Sequence, residues 1–208
     1  MDVAPPHPFR LPLIAILRGI TPGEVSAHVG ALVDEGWDAI EIPLNSPDWR
    51  DGIARARREF GERAWIGGGT VLRESDVDAL HVLGAPFLVT PNTRPAVIAH
   101  AVRHGMQVVA GFATPSEAFD ALDAGAQMLK LFPASVYGPG LVKAVRAVLP
   151  AAPIFAVGGV DTESLRDFVA AGCSGAGIGG ELYRPGHPAE RTRQQARAFR
   201  EAWLACAR

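Results

Sequence analysis

Lys130 lies inside Met128-Leu129-Lys130-Leu131-Phe132-Pro133, an otherwise apolar run with strand character. An isolated ammonium in such surroundings loses hydration and is too costly to stay charged. The expected outcome is a lowered pKa and a free amine, which adds to ketones and aldehydes to form a Schiff base. The competing reading is a lysine that ends its strand and reaches out to water. Glu41, in Ala39-Ile40-Glu41-Ile42-Pro43, is a second ionisable residue in an apolar strand. Beside a Schiff-base lysine, one carboxyl could serve imine formation, carbon–carbon cleavage and enamine protonation, each worth typically 10²–10⁴-fold. The competing reading is a structural ion pair with Arg18.

Strand side chains alternate faces. Ile40, Ile42 and Leu44 therefore share one face, while Ala39, Glu41 and Pro43 share the other. Leu129 and Leu131 likewise oppose Met128, Lys130 and Phe132. In a barrel the second face of each strand points inward. Glu41 and Lys130 would then converge toward one mouth, where Arg18 ends the first strand and Thr70 follows the third.

Two glycine pairs suggest how an anion is held. Gly158-Gly159 ends a seventh strand and Gly179-Gly180 follows an eighth. Glycines let backbone N–H groups approach an anion, and these two loops are the frequent phosphate site of a TIM barrel. Tight turns that need glycine are the alternative. His100 and His104 are four apart on one predicted helix, a spacing that can hold a metal. No third ligand accompanies them in the sequence, so they read as a solvated helix face and no metal site is expected. No dinucleotide fingerprint or P-loop appears.

The elements that must position these residues repeat along the chain: an amphipathic helix, a glycine, then a short apolar strand. Gly36, Gly84, Gly105, Gly125 and Gly172 each stand between a helix and the next strand, where a left-handed cap favours glycine. Strands are predicted near 12–17, 39–44, 64–69, 87–90, 107–112, 128–132, 153–158 and 175–178. Helices are predicted near 22–35, 47–60, 74–83, 94–104, 115–124, 138–148, 162–171 and 188–205. Thr21-Pro22 and Thr114-Pro115 supply a capping residue before a proline at the first helical position, and Asp161 supplies another cap. Eight βα units in a 208-residue chain predict an α/β fold, a (β/α)8 TIM barrel at the lower size limit of that architecture. A doubly wound open sheet is the alternative. One domain spans 1–208, with about ten N-terminal residues and the C-terminal helix as extensions.

Composition narrows the function classes. Apolar residues make up 48% of the chain, enough for a sizeable core, and the formal net charge is −2. That balance disfavours a nucleic-acid partner, and the four tryptophans form no stacking stripe. No segment approaches the ~18 consecutive apolar residues of a membrane span, and no signal peptide is visible. Cys173 and Cys206 are too few and too far apart for a disulfide framework or a zinc cluster, which favours a reducing, cytoplasmic location.

Six segments, in order, carry a resemblance. They are Pro12 to Gly19 (PLIAILRG), Glu41 to Pro47 (EIPLNSP), Gly67 to Leu72 (GGGTVL), Val89 to Asn92 (VTPN), Leu129 to Pro133 (LKLFP) and Ala156 to Val160 (AVGGV). The chain resembles the bacterial 2-keto-3-deoxy-6-phosphogluconate and 6-phosphogalactonate aldolases from about Leu11 to Gly186. The resemblance implies a class I aldolase that uses no metal or cofactor, acts on a phosphorylated keto-deoxy sugar acid and assembles as a homotrimer. By position, Lys130 is its Schiff-base lysine and Glu41 its general acid/base. Arg18 and Thr70 match the residues at the pyruvate carboxylate end. Gly159 and Gly179 match phosphate-contacting glycines, and Pro91, Phe132, Val157 and Gly158 are also implied around the substrate. Gly180 stands where relatives usually have serine, which removes a hydroxyl donor. EIPLNSP is similar to the galactonate branch, whereas the gluconate branch typically reads Thr-Leu-Arg-Thr there. Val157 replaces a threonine of the gluconate enzymes and cannot hydrogen-bond a C4 hydroxyl. The gluconate reaction, and a non-catalytic phosphosugar-binding module, remain the alternatives.

Overall fold

Short runs of branched apolar residues fold into strands because they pack well on both faces of a covered parallel sheet. In a computed structural model that describes residues 7–149 and 152–206, eight strands, two of them (WIGGG and GAGI) rich in glycine, alternate with eight helices. The strands are β1 (Leu13–Ile16), β2 (Ala39–Pro43), β3 (Trp65–Gly69), β4 (Phe87–Val89), β5 (Gln107–Phe112), β6 (Met128–Leu131), β7 (Ile154–Val157) and β8 (Gly175–Ile178). The helices are α1 (Pro22–Asp34), α2 (Trp49–Phe60), α3 (Glu74–Val82), α4 (Pro95–Arg103), α5 (Pro115–Asp123), α6 (Ala134–Arg146), α7 (Leu165–Ala170) and α8 (Ala189–Cys206). All strand pairings are parallel and β8 pairs with β1, so the sheet closes into a (β/α)8 barrel. The open-sheet alternative is excluded by that closure.

The strand alternation separates two apolar layers. Ile40, Ile42, Leu129 and Leu131 face outward into the shell between sheet and helices. Ile14, Ile16, Phe87, Val89, Val109, Met128, Phe155 and Val157 fill the barrel interior. Phe9 joins this inner layer, with edge-on contacts to the rings of Trp65, Phe87 and Phe155. Phe9, in the stretch expected to be an extension, therefore helps to form the barrel floor, while residues 1–6 of that stretch lie outside the described residues. The C-terminal helix is no extension either. α8 buries Ala196 and Phe199, and Trp37 Nε1 donates to Ala196 O at 3.0 Å.

Local signals account for most helix ends. Thr114 caps α5, accepting from Glu117 N at 3.3 Å, while Glu117 Oε2 accepts from Thr114 N at 2.9 Å. Glu24 Oε2 accepts from Thr21 N at 3.1 Å at the start of α1. α6 departs from expectation by starting at Ala134. Gly138 (φ 69°, ψ 172°) interrupts it, so one extra turn precedes the segment that begins at Pro139. α7 starts later than predicted, because Asp161 Oδ1 holds Glu163 N and Ser164 N in a tight turn ahead of it. Among the described residues no helix is long and apolar enough to cross a membrane.

Candidate active site

Glu41 projects inward from the middle of β2, in register with Ile16 on β1 and Gly67 on β3. It is 1% exposed, and its Oε2 has no hydrogen-bond partner among the described residues. The carboxyl fits because residue 69 on the neighbouring strand is glycine. A Cβ there would overlap the Glu41 carboxyl itself. Burial pushes the Glu41 pKa up, and the charges of Lys130 and Arg18 oppose that rise. No salt bridge joins Glu41 to Arg18 among the described residues, so the structural ion pair that the sequence allows is not formed.

Lys130 projects inward from β6, in register with Gly111 and Phe155. β2 and β6 are four strands apart in an eight-stranded ring. Their side chains therefore reach toward the axis from opposite walls, across an interior just wide enough for side chains to fill. Lys130 is 4% exposed. Burial lowers its pKa from the ordinary lysine value; Glu41 resists this and Arg18 reinforces it. Its Nζ lies 5.0 Å from the centroid of the Phe132 ring. Such a contact is worth ~0.5–2 kcal/mol, against a desolvation cost of several kcal/mol per buried ion. The ring therefore offsets only part of that desolvation.

The mouth is built around these two groups. Arg18, just beyond β1, is exposed and donates from Nη1 to Asn45 Oδ1 at 3.2 Å. Gly19 N donates to Ser46 Oγ at 2.9 Å, which ties the β1 loop to the β2 loop. Thr70 follows β3 with φ 57°. A β-branched residue in the left-handed region is an outlier costing roughly 1–3 kcal/mol, and such strain clusters at functional sites. Thr70 is half-buried immediately after the glycine that houses Glu41. Pro91 sits in a turn held by buried Thr90, whose Oγ1 donates to Asn92 O at 2.7 Å and accepts from Gly111 N at 3.1 Å. Val157 is buried and presents only methyl groups to the interior.

The two glycine pairs differ. Gly158 (φ 96°) and Gly159 (φ 73°) occupy left-handed conformations, and a Cβ on Gly159 would meet Ser135 Oγ at 2.5 Å. The tight-turn reading is thus correct for this pair, and it coexists with an exposed backbone at Gly159. Gly179 and Gly180 need no special backbone angle. Around Gly180 there is open space, and Gly180 O accepts from Arg184 Nε at 2.8 Å.

Sequence reasoning overlooked the supports: Asn45, Ser46, Gly69, Thr90 and Arg184. All but Arg184 lie in or beside the six motifs, but Arg18, Gly19, Glu41 and Gly111, which they support, come from other parts of the chain. It also missed Asp78. The structure sets Asp78 Oδ1 2.7 Å from His100 Nε2 and 3.4 Å from His104 Nε2. This corrects the expectation that the histidine pair stands without a third ligand. The group lies on the outer wall, between α3 and α4.

A model of the KDPG and KHG aldolase family matches residues 9–190. The chain is 55% identical to the 2-dehydro-3-deoxy-6-phosphogalactonate aldolase of Escherichia coli (strain K12), over 93% of this chain and 95% of that protein. It is 47% identical to a probable 2-dehydro-3-deoxy-6-phosphogalactonate aldolase of Rhizobium meliloti (strain 1021), over 98% and 96% of the respective chains. A solved structure described as native KDPGal superposes with a TM-score of 0.94 at 54% identity, covering 95% of this chain and 97% of that one.

Proposed function

This chain belongs to the KDPG and KHG aldolase family, and from that membership we propose that it reversibly cleaves 2-dehydro-3-deoxy-6-phospho-D-galactonate to pyruvate and D-glyceraldehyde 3-phosphate. The observation that carries the chemistry is the pairing of a buried, pKa-lowered amine with a buried, pKa-raised carboxyl in one barrel.

Lys130 Nζ attacks the C2 ketone, and loss of water leaves a protonated imine. Glu41 takes the proton of the C4 hydroxyl as the C3–C4 bond breaks. The bonding electrons move into the imine, giving an enamine, and the aldehyde leaves. The proton is then returned to C3, and water releases pyruvate and the free amine. Arg18 and Thr70 receive the carboxylate end, where a guanidinium offers two parallel donors. Pro91 and Phe132 wall the reacting carbons. The Gly158-Gly159 and Gly179-Gly180 loops hold the distal phosphate, fixing which bond lies over the imine. Gly180 offers no side-chain donor, so backbone N–H groups carry that contact.

The galactonate assignment rests on the EIPLNSP motif, on Val157 and on the names of the relatives. Assaying both C4 epimers tests it: kcat/KM is expected to be higher for the galactonate epimer. Val157→Thr should move the ratio toward the gluconate epimer by about tenfold, the scale of one net hydrogen bond. A wild-type enzyme that prefers the gluconate epimer would overturn the assignment.

The family resemblance also supports a homotrimer in the cytoplasm, and both cysteines are free thiols. Sedimentation should report three times the 22.0 kDa chain mass; a monomer at working concentration would reject the trimer.

A further inference from the structure

We propose that Asp78, His100 and His104 form a surface site for a divalent transition-metal ion, separate from the aldolase centre. His100 is on the last turn of α4 and His104 is the residue that caps its C-terminus, four positions on, and their rings lie 4.8 Å apart. α3 packs against α4 and brings Asp78 between them. One donor atom from each of the three residues lies within 4.8 Å of the others. Asp78 Oδ1 is 2.7 Å from His100 Nε2 and 3.4 Å from His104 Nε2. Tetrahedral zinc with bonds of about 2.0–2.2 Å needs donors roughly 3.4 Å apart, a spacing within reach of small side-chain rotations.

Further groups surround the three donors. Glu74 Oε2 lies 3.4 Å from His100 Nδ1. A carboxylate behind a ligating imidazole fixes its tautomer and raises its basicity. His100 Nδ1 accepts from Arg103 Nη2 at 3.0 Å, so Nε2 directs its proton at Asp78 Oδ1, 2.7 Å away. A bound ion takes the place of that proton, which moves to Nδ1 on the Glu74 side. Arg103 is at the exposed C-terminal end of α4, where its guanidinium has room to leave Nδ1 once that atom carries the proton. The His81 ring packs 4.3 Å from that of His104 and shields one side. Two imidazoles and one carboxylate favour Zn²⁺, Co²⁺, Ni²⁺ or Cu²⁺ over Mg²⁺ or Ca²⁺, which prefer all-oxygen sites. The three protein donors leave one position for water. Joining two neighbouring helices of the outer shell, a bound ion stabilises the folded chain.

Untagged, chelator-treated protein titrated calorimetrically with Zn²⁺ tests this. The expected result is one ion per chain and a zinc-dependent rise in the thermal midpoint. His100→Gln, His104→Gln and Asp78→Asn should each weaken binding at least about tenfold, since even outer-shell changes cost 10–100-fold. Lys130→Met should bind zinc as the parent does. Replacing zinc with Co²⁺ should give visible d–d bands that vanish in His100→Gln/His104→Gln. A wild-type protein that takes up no zinc, or uptake unchanged in the double variant, would overturn the site and leave only a surface hydrogen-bond cluster. Aldolase turnover should be unchanged in the three surface variants, so failure here leaves the proposed reaction standing.

Discussion

Lys130→Met should abolish turnover completely and make the protein more stable. The catalytic loss is the larger effect, because no other lysine is available inside the barrel. The chain has only two lysines, and the second, Lys143, is on α6. With pyruvate and borohydride, the wild-type enzyme should gain one carboxyethyl group on Lys130. Labelling that persists in the Lys130→Met variant would remove Lys130 from the mechanism. The sign of the stability change follows from linkage. Folded Lys130 has a pKa below the unfolded value of 10.5. Between those two values the unfolded chain binds a proton that the folded chain does not, so stability falls as pH drops through that window. Methionine fills much of the same volume without an ammonium, and a gain of about 1–2 kcal/mol is expected on denaturant unfolding. The same shift sets the pH–rate profile. Turnover should rise with pH through the titration of Lys130, and that rise should lie well below the range of an exposed lysine.

The barrel was legible because its determinants are local. Helix–glycine–strand repeats mark where each βα unit turns, and residues 36, 84, 105, 125 and 172 all adopt the positive φ that those glycines imply. Alternation along residues 39–43 and 128–131 was enough to orient Glu41 and Lys130, because a closed parallel barrel leaves an inward residue nowhere else to go. Information about partners on other elements was not local. That Gly69 exists to admit a carboxyl from β2 depends on the register of two strands. Phe9 becomes the floor only once β3, β4 and β7 surround it. Asp78 joins His100 through packing of α3 on α4, 22 residues apart in sequence. The α6 boundary was missed for another reason: Gly138-Pro139 does start a helix, since proline disfavours the helical region for the residue before it. The additional turn from Ala134 carries no capping signal of its own.

Glu41→Gln should preserve the barrel, still form the pyruvate adduct on Lys130 and lose roughly 10²–10⁴-fold in kcat, the scale of one positioned proton-transfer group. Near-wild-type turnover would take Glu41 out of the reaction. The folded pKa of Glu41 is raised above 4.5. As pH climbs past that value the unfolded carboxyl ionises while the folded one resists, so stability declines with rising pH across this window. Glutamine cannot ionise, and this part of the pH dependence should disappear. Gly69→Ala displaces the same carboxyl without altering its chemistry, because the new methyl takes the space Glu41 now fills. It should lower turnover as severely as Glu41→Gln and also destabilise the fold, by roughly the 1–3 kcal/mol typical of overpacking. Burial sets Lys130 and Glu41 against their own charged forms, with Arg18 adding to it at Lys130, while each of the pair favours the charge of the other. Their stability effects must therefore be non-additive. The Lys130→Met/Glu41→Gln double variant should differ from the summed single variants by about 0.5 kcal/mol or more, the threshold for coupled neighbours. Strict additivity would mean that amine and carboxyl do not sense one another, and one residue could not then relay protons for the other.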